Sequence, residues 1–434
     1  MSSKAENDLL TRTDPGTPGG ELLRRYWQPV ALSKELKPDA PLNVKVMGED
    51  LVLFRDDEGC LGLLGAYCPH RCADLSYGRI ENGGLRCLYH GWLFDRQGRC
   101  LDQPAEPVNS GYKEKIRHTA YPCHEAAGAI FAYMGPGQPP LFPNFHFIAA
   151  PSRHVHENKL HHNCNYLQAN EGNIDPAHLS FLHSFVEPPS DRQGAYRAGH
   201  AAMIKDQRPT IEIERMRFGV RIFTQRRAEE SKTYLRVTNY VFPNLSFFAG
   251  RDQRYGQGGY TVHWHVPIDN VSHWRYEFYY HSVAQLDKEQ MAANIRTEID
   301  ENYCSLRTAD NRYKQDRREM KTVSFAGMGN YFATHDLFAV ESPGAIHDRS
   351  RENLGTTDVP IATARRMLLD AMQGLSQGKE PPLVLRSDNE NVFNDLVVLS
   401  AMLDQGQDAR GYCASVTASG DFHAIKPGAD RGRG

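Results

Sequence analysis

Apolar residues fall into short runs through the first third of the chain and into long alternating runs through its middle. Between Asn43 and Leu64, V-K-V-M and L-V-L-F are separated by Gly48-Glu49-Asp50, and a second turn, Asp56-Asp57-Glu58-Gly59, precedes L-G-L-L. Short strands joined by acidic-glycine turns are hairpin signals, so residues 41–135 read as all-β. Gly135-Pro136-Gly137-Gln138-Pro139-Pro140 is rich in residues that interrupt regular structure. It predicts a boundary near residue 150, with an N-terminal domain over 1–150 (core about 26–135) and a second domain over 151–434. In the second, residues 164–183 are largely helix-compatible, and strand-like runs follow at 210–225, 233–249, 259–267 and 273–284. These alternate as expected of a large antiparallel sheet with one covered face. Residues 285–310 and 361–377 are rich in Ala, Leu, Gln, Met and charged residues and predict helices. No internal repeat is present. The fold class is therefore α+β.

Composition narrows the function without naming it. A chain of 434 residues holds about two to three domains. Charged residues at 24%, hydrophobic residues at 40% and a net charge of −3 describe an ordinary globular enzyme. No basic stripe points to nucleic acid, and only the first twenty residues and the last dozen read as tails. The start, M-S-S-K-A-E-N-D, lacks the apolar region of a signal peptide. No apolar stretch reaches the roughly 18 residues that would span a bilayer. Nine cysteines are too sparse for a disulfide framework. Cys60, Cys72, Cys100, Cys123, Cys164, Cys304 and Cys413 read as free thiols of a cytoplasmic protein.

Two cysteines stand apart. Cys68, His70, Cys87 and His90 form C-x-H-x16-C-x2-H, set as C-P-H-R and C-L-Y-H-G-W. Two thiolates and two imidazoles on two loops are the ligand set of a Rieske [2Fe–2S] centre, with cysteines on one iron and histidines on the other. A structural zinc site uses the same residue types. Zinc fingers, however, pair C-x2-4-C with H-x3-5-H, whereas here each loop supplies one Cys and one His.

A second constellation lies at Asp175-Pro176-Ala177-His178-Leu179-Ser180-Phe181-Leu182-His183. Two histidines and a carboxylate make the facial triad of non-haem Fe(II) oxygenases, which leaves positions open for dioxygen. On a straight helix residues i and i+5 point about 140° apart, so the helix must break or bulge between His178 and His183. Asp175 could orient the outward nitrogen of His178, or could cap a helix starting at Pro176. The carboxylate must come from far along the chain: Asp336, Glu341, Glu390 and Asp395 are candidates. Asp336 has a modest lead, because it ends an apolar-aromatic stretch where an uncoordinated carboxylate would be costly to bury.

With both motifs in view, the chain resembles the oxygenase component of a Rieske non-haem iron aromatic-ring oxygenase, and is most similar to the phthalate dioxygenase branch. R-R-Y-W-Q-P-V-A at 24–31, C-N-Y-L-Q-A-N-E-G-N-I-D-P-A-H at 164–178 and H-D-L-F-A-V-E-S-P-G-A-I-H-D-R-S-R-E-N-L-G-T-T-D at 335–358 carry the likeness along nearly the whole chain. The resemblance implies Asp336 as the carboxylate ligand and Asp175 as a bridge between an iron histidine and a cluster histidine of a neighbouring subunit. It also implies a homotrimer, or a hexamer of paired trimers. Tyr166 stands where relatives often have Trp, and Glu171 where naphthalene-type relatives have Asn. Cys72 has no partner in C-L-Y-H, so the disulfide that braces respiratory Rieske proteins cannot form in the usual way.

The implied reaction uses dioxygen and electrons passed singly from NAD(P)H through a separate flavin and iron–sulfur reductase, because this chain has no dinucleotide-binding or flavin signature of its own. The outcomes open are cis-dihydroxylation, monohydroxylation and oxidative O- or N-demethylation. An aromatic carboxylate needs a cation in an apolar pocket. Arg236, on the strand face shared by Tyr234, Thr238 and Tyr240, is the first candidate, with Arg208 and Arg251 behind it. Each is alternatively a solvent-facing arginine. A Rieske electron carrier without mononuclear iron is the reading from another class, and His178 with His183 argues against it.

Overall fold

The computed structural model describes residues 2–186, 194–228, 231–249 and 258–419, with side chains of 194–198 left aside. The N-terminal third holds three small antiparallel sheets. One joins Leu42–Val46, Glu49–Arg55, Leu61–Gly65 and Ala120–Tyr121, and a second joins Arg79–Glu81, Gly84–Arg86, Leu93–Asp95 and Cys100–Asp102. The third joins Trp27–Leu32, Ala129–Tyr133 and Cys123–Ala126. Three two-residue turns drive this meander: Met47–Gly48, Asn82–Gly83 and Ala127–Gly128 all have positive φ at both positions. That geometry matches the right-handed twist of the strands it connects. The first turn lies one residue earlier than the spacing suggested, since Glu49 already pairs with Val46.

The rest is built on one eight-stranded antiparallel sheet. Its order runs from Val155–His162 through His273–His281, Gly259–Pro267, Leu245–Phe248, Lys232–Val241 and Gly219–Arg227 to Thr210–Met216, with Leu399–Asp404 beside the first half of Lys232–Val241. The runs at 259–267 and 273–284 are single strands as expected. Those at 210–225 and 233–249 each fold back on themselves, at Arg217–Phe218 and at Phe242-Pro243-Asn244. Hydrophobic alternation continues through both turns, because Phe218 and Phe242 are themselves buried. Alternation alone therefore could not reveal the reversals.

Helices differ more. The stretch 361–377 is helical up to Ser376, in the helix Val359–Ser376, but 285–310 yields only the α-helix Lys288–Arg296, followed by mostly irregular chain. The first twenty residues are not a tail. Ser3 and Glu6 form a reciprocal capping box at the start of Lys4–Thr11, and a second helix spans Pro18–Leu23. Leu10 is fully buried, and its carbonyl accepts from the Tyr166 hydroxyl at 3.2 Å. The S-x-x-E spacing was the available signal. The last dozen residues lie outside those described.

Two cores result. The larger one joins the N-terminal helices, the three-stranded sheet and the large sheet, with Phe131 5.4 Å from Trp264 and 6.4 Å from Phe278 between ring centroids. The smaller one, with Val52, Phe54, Leu64, Leu75, Leu85, Trp92 and Phe94, surrounds Cys68 and Cys87. No described helix is long and apolar enough to cross a membrane.

Candidate active site

The two cysteine loops are the same backbone device used twice. In the first, the Cys68 N–H donates to Ala73 O and the Cys72 N–H returns to Cys68 O at 2.8 Å; in the second, the Cys87 N–H donates to Trp92 O and the Gly91 N–H returns to Cys87 O at 3.1 Å. The fifth residue of each is left-handed, Cys72 at φ +57° and Gly91 at φ +74°. This closure buries Cys68 and Cys87 and turns the histidines outward, with His70 exposed and His90 half-buried. Their ring centroids lie 4.4 Å apart, and His70 stacks on Trp92 at 4.4 Å. Burial, opposed by the His70 N–H and reinforced by Cys87, pushes the Cys68 thiol up to about 12. Two thiols in an apolar core lose their protons only when a bound cation replaces them. Thiols inside and imidazoles at the rim fit a [2Fe–2S] group whose two irons take different ligands. All nine cysteines are free, Cys72 among them.

His178 and His183 follow a broken helix. The helix Tyr166–Asn173 ends before Asp175-Pro176, and a single tight turn carries His178–Ser180. Phe181, at φ −124° and ψ −71°, then throws the chain off helical geometry. The expected break between the histidines is present, and a second one precedes them, so residues 164–183 are less helical than their composition suggests. The turn is clamped from the sheet by Arg226, which donates to Pro176 O at 2.7 Å and Ser180 Oγ at 3.3 Å. Arg226 is buried with its Nε and Nη1 unpaired among the described residues, and burial followed by the charge of Arg236 brings it down to about 10. The sequence alone did not mark Arg226. It lies opposite Tyr234, two residues along from the Thr224–Arg236 pair, a placement that only the strand register supplies.

Asp336 arrives from the helix Phe332–Glu341. One ligand atom each from His178, His183 and Asp336 lie within 4.8 Å of one another, and His183 Nε2 is 2.9 Å from Asp336 Oδ1. Burial would raise Asp336, but His183, His178 and Arg275 outweigh it and hold the carboxylate far below its ordinary value. Burial lowers His183, so its neutral, ligating form is favoured. A carboxylate and two imidazoles with this spacing suit a divalent iron with open positions. The rival carboxylates are elsewhere: Glu341 binds the Asn163 N–H and Tyr313 hydroxyl, Glu390 caps Arg386 and Ser387, and Asp395 pairs with Arg217. Asp175 faces His178 Nδ1 at 3.6 Å and accepts from the Ala177 N–H at 2.7 Å, but no helix starts at Pro176 for it to cap, because the next turn begins only at His178.

A pocket with about 950 Å³ of empty space, its open mouth included, adjoins the three residues. Its walls include Leu179, Phe248, Phe332, Arg236, Thr238 and Arg275. Arg275 is neutralised, donating to Glu277 at 2.6 Å and lying 3.9 Å from Asp336. Arg236 has no carboxylate partner among the described residues and lies over the Phe248 ring at 5.9 Å. Arg208 is exposed in the bend before Thr210, where its backbone N–H donates to Asp206 Oδ1 at 3.1 Å, and it does not line the pocket, which corrects its candidacy as an anchor. Arg251 lies outside the described residues.

Comparison with known proteins agrees with both halves. Residues 26–113 match the Rieske [2Fe-2S] domain, and residues 132–431 match the family described as LigXa C-terminal domain like. Together these define an iron–sulfur oxygenase subunit. The phthalate 4,5-dioxygenase oxygenase subunit of Pseudomonas putida is 36% identical over 95% of this chain and 95% of that one. The 5,5'-dehydrodivanillate O-demethylase oxygenase subunit of a Sphingobium species is 32% identical over 89% of this chain and 84% of that one. Dicamba monooxygenase bound to dicamba shares the fold, with a TM-score of 0.57 and 18% identity across 82% of this chain and 99% of that one. The chain belongs to the Rieske non-haem iron oxygenases, as an oxygenase component of the phthalate dioxygenase-like branch.

Proposed function

We propose that this subunit oxygenates an aromatic carboxylate, with Arg236, which has no carboxylate partner among the described residues, in the pocket beside His178, His183 and Asp336 as the observation that carries the reading. The guanidinium binds the carboxylate and sets which ring carbon faces the metal, while Leu179, Phe248 and Phe332 enclose the ring and exclude water. His178, His183 and Asp336 hold one mononuclear Fe(II), and Cys68, Cys87, His70 and His90 hold the cluster. The iron, when bound, activates dioxygen at its open positions. The name of the phthalate relative supports the substrate class. The demethylase relative supports a second outcome, in which a methoxyl or methyl carbon faces the metal instead of a ring carbon.

The same reading makes Asp175 the bridge between His178 and a neighbouring subunit's cluster, in a cytoplasmic homotrimer or hexamer supplied by a separate reductase. It divides the chain near residue 150. The test is reconstitution with a surrogate reductase and a panel of aromatic acids and methoxy-aromatics, following coupled dioxygen uptake and products. Arg236→Gln is expected to raise the apparent KM for aromatic acids by about ten- to a hundred-fold, the worth of a charge-assisted hydrogen bond, and to spare neutral substrates. Equal affinity for acids in both proteins would remove the anchor. About three irons per two sulfides are expected, against equal numbers in a pure electron carrier.

A further inference from the structure

We infer that His335 is a positioning residue that sets the tautomer of His183 and thereby turns a bare Nε2 lone pair toward the metal; this rests on the reading of His178, His183 and Asp336 as iron ligands. His335 is fully buried and packs near Phe185 and Phe332, at centroid distances of 6.4 Å and 6.0 Å. Its Nε2 lies 3.0 Å from Gly329 O, and its Nδ1 lies 3.3 Å from His183 Nδ1.

Proton positions follow from what each atom can do. A carbonyl oxygen only accepts, so His335 Nε2 bears the hydrogen. A neutral imidazole has one, so His335 Nδ1 is bare and must accept. The opposing His183 Nδ1 therefore bears its hydrogen, and His183 Nε2 is left as a lone pair. That atom faces Asp336 Oδ1 at 2.9 Å, and an ionised carboxylate has no hydrogen to offer. Two acceptors in contact are held together by a cation. The relay thus prepares His183 to ligate, and it begins at a backbone carbonyl rather than at a carboxylate.

Two features fix the relay. Gly329 sits at φ +76°, a left-handed conformation that aims its carbonyl at His335, and a Cβ there would come within 3.1 Å of the Arg307 guanidinium. His183 itself is stacked against Phe332 at 4.5 Å and 24°, a contact that turning the ring to exchange its nitrogens would have to break. His178 has a different partner, the Asp175 carboxylate. The two histidines are thus oriented by groups of unlike charge, and the neutral imidazole on His183 leaves that ligand the less electron-rich of the pair.

The experiment uses the holoenzyme and three variants: His335→Gln, His335→Phe and His335→Leu. Gln offers an amide oxygen to His183 and an NH2 to Gly329, whereas Phe and Leu offer neither. Release of mononuclear iron to a chelator and the EPR signal of its nitric oxide adduct are read, with the visible spectrum of the cluster as the folding control. Phe and Leu are expected to release iron about 10- to 100-fold faster and to alter the EPR signal, and Gln to remain within about threefold of the parent. Equal behaviour of all three variants, or folding of the Gln variant alone, would make His335 a packing residue and overturn the proposal. His183→Ala separates the two readings: if it keeps its mononuclear iron, the ligand assignment itself has failed.

Discussion

The cluster loops and the mononuclear site solve one problem, holding metal-binding side chains in place, by opposite means. Each cluster loop closes on itself within six residues through its own backbone hydrogen bonds and a left-handed fifth residue. The small core around Cys68 and Cys87 is separate from the main one. The proposed iron ligands instead come from a broken segment at 178–183 and from Asp336, more than 150 residues later, and are clamped by cations reaching from the sheet. Local closure makes a short, readable motif. A site assembled at long range depends on the whole core, and its supporting charges are as important as its ligands.

The largest effect expected is complementary loss. His178→Ala or His183→Ala should remove mononuclear iron and lower coupled turnover more than about 100-fold, since even outer partners of metal ligands are worth 10- to 100-fold. Cluster absorbance should persist. Cys87→Ser should do the reverse, losing the cluster while retaining iron at the second site. If either variant emptied both sites in a folded protein, the two regions would not be independent.

Next comes the charged support one turn before Asp175. Glu171 is buried between Arg349 at 2.9 Å and Arg365 at 2.6 Å. Burial would raise its carboxyl, but the two arginines hold it below its ordinary value. Glu171→Gln leaves two buried cations short of a partner and should cost about 3–5 kcal/mol in denaturant melts. The depressed value sets the sign of the pH effect. The advantage of the parent over the variant should be complete above the unfolded value of about 4.3. It should disappear as pH falls through the lower folded value. A constant difference across that range would show that the carboxylate's charge is not what matters.

Smaller effects should divide the two cluster loops. Gly91 at φ +74° would place a Cβ 3.0 Å from Pro104, so Gly91→Ala should destabilise by about 1–2 kcal/mol. Cys72 holds the matching left-handed position with a side chain, and Cys72→Gly should stabilise by up to about 1 kcal/mol. Thermal melts followed at the cluster's visible band distinguish them. Shifts of the same sign would mean that the two loops are not equivalent.

Legibility tracked the distance over which each feature is built. C-P-H-R and C-L-Y-H-G-W were readable because the turn that gathers the ligands is encoded in the same few residues. The pair at 178 and 183 was readable as chemistry, and its helix break followed from simple geometry. Asp336 had only a modest lead over three other carboxylates from its own surroundings and was favoured by the resemblance; the helix Phe332–Glu341 brings it beside His183, while Glu341 and Asp395 have other partners. The reversals at Arg217–Phe218 and Phe242–Asn244 were hidden because apolar side chains fill the turns. Arg236 ranked ahead of Arg208 for its place on a strand face, and the fold puts Arg236 on the pocket wall and leaves Arg208 exposed in the bend before Thr210.

The sequence by itself determined the residue types, the two ligand sets and the alternating strands, because these depend on periods of a few residues. Tertiary structure alone decided which cations are neutralised, which carboxylate meets the histidines, and which ring orients His183. Those outcomes are set by contacts between segments far apart in the chain, where burial removes water and leaves each polar atom only the partner that the fold supplies.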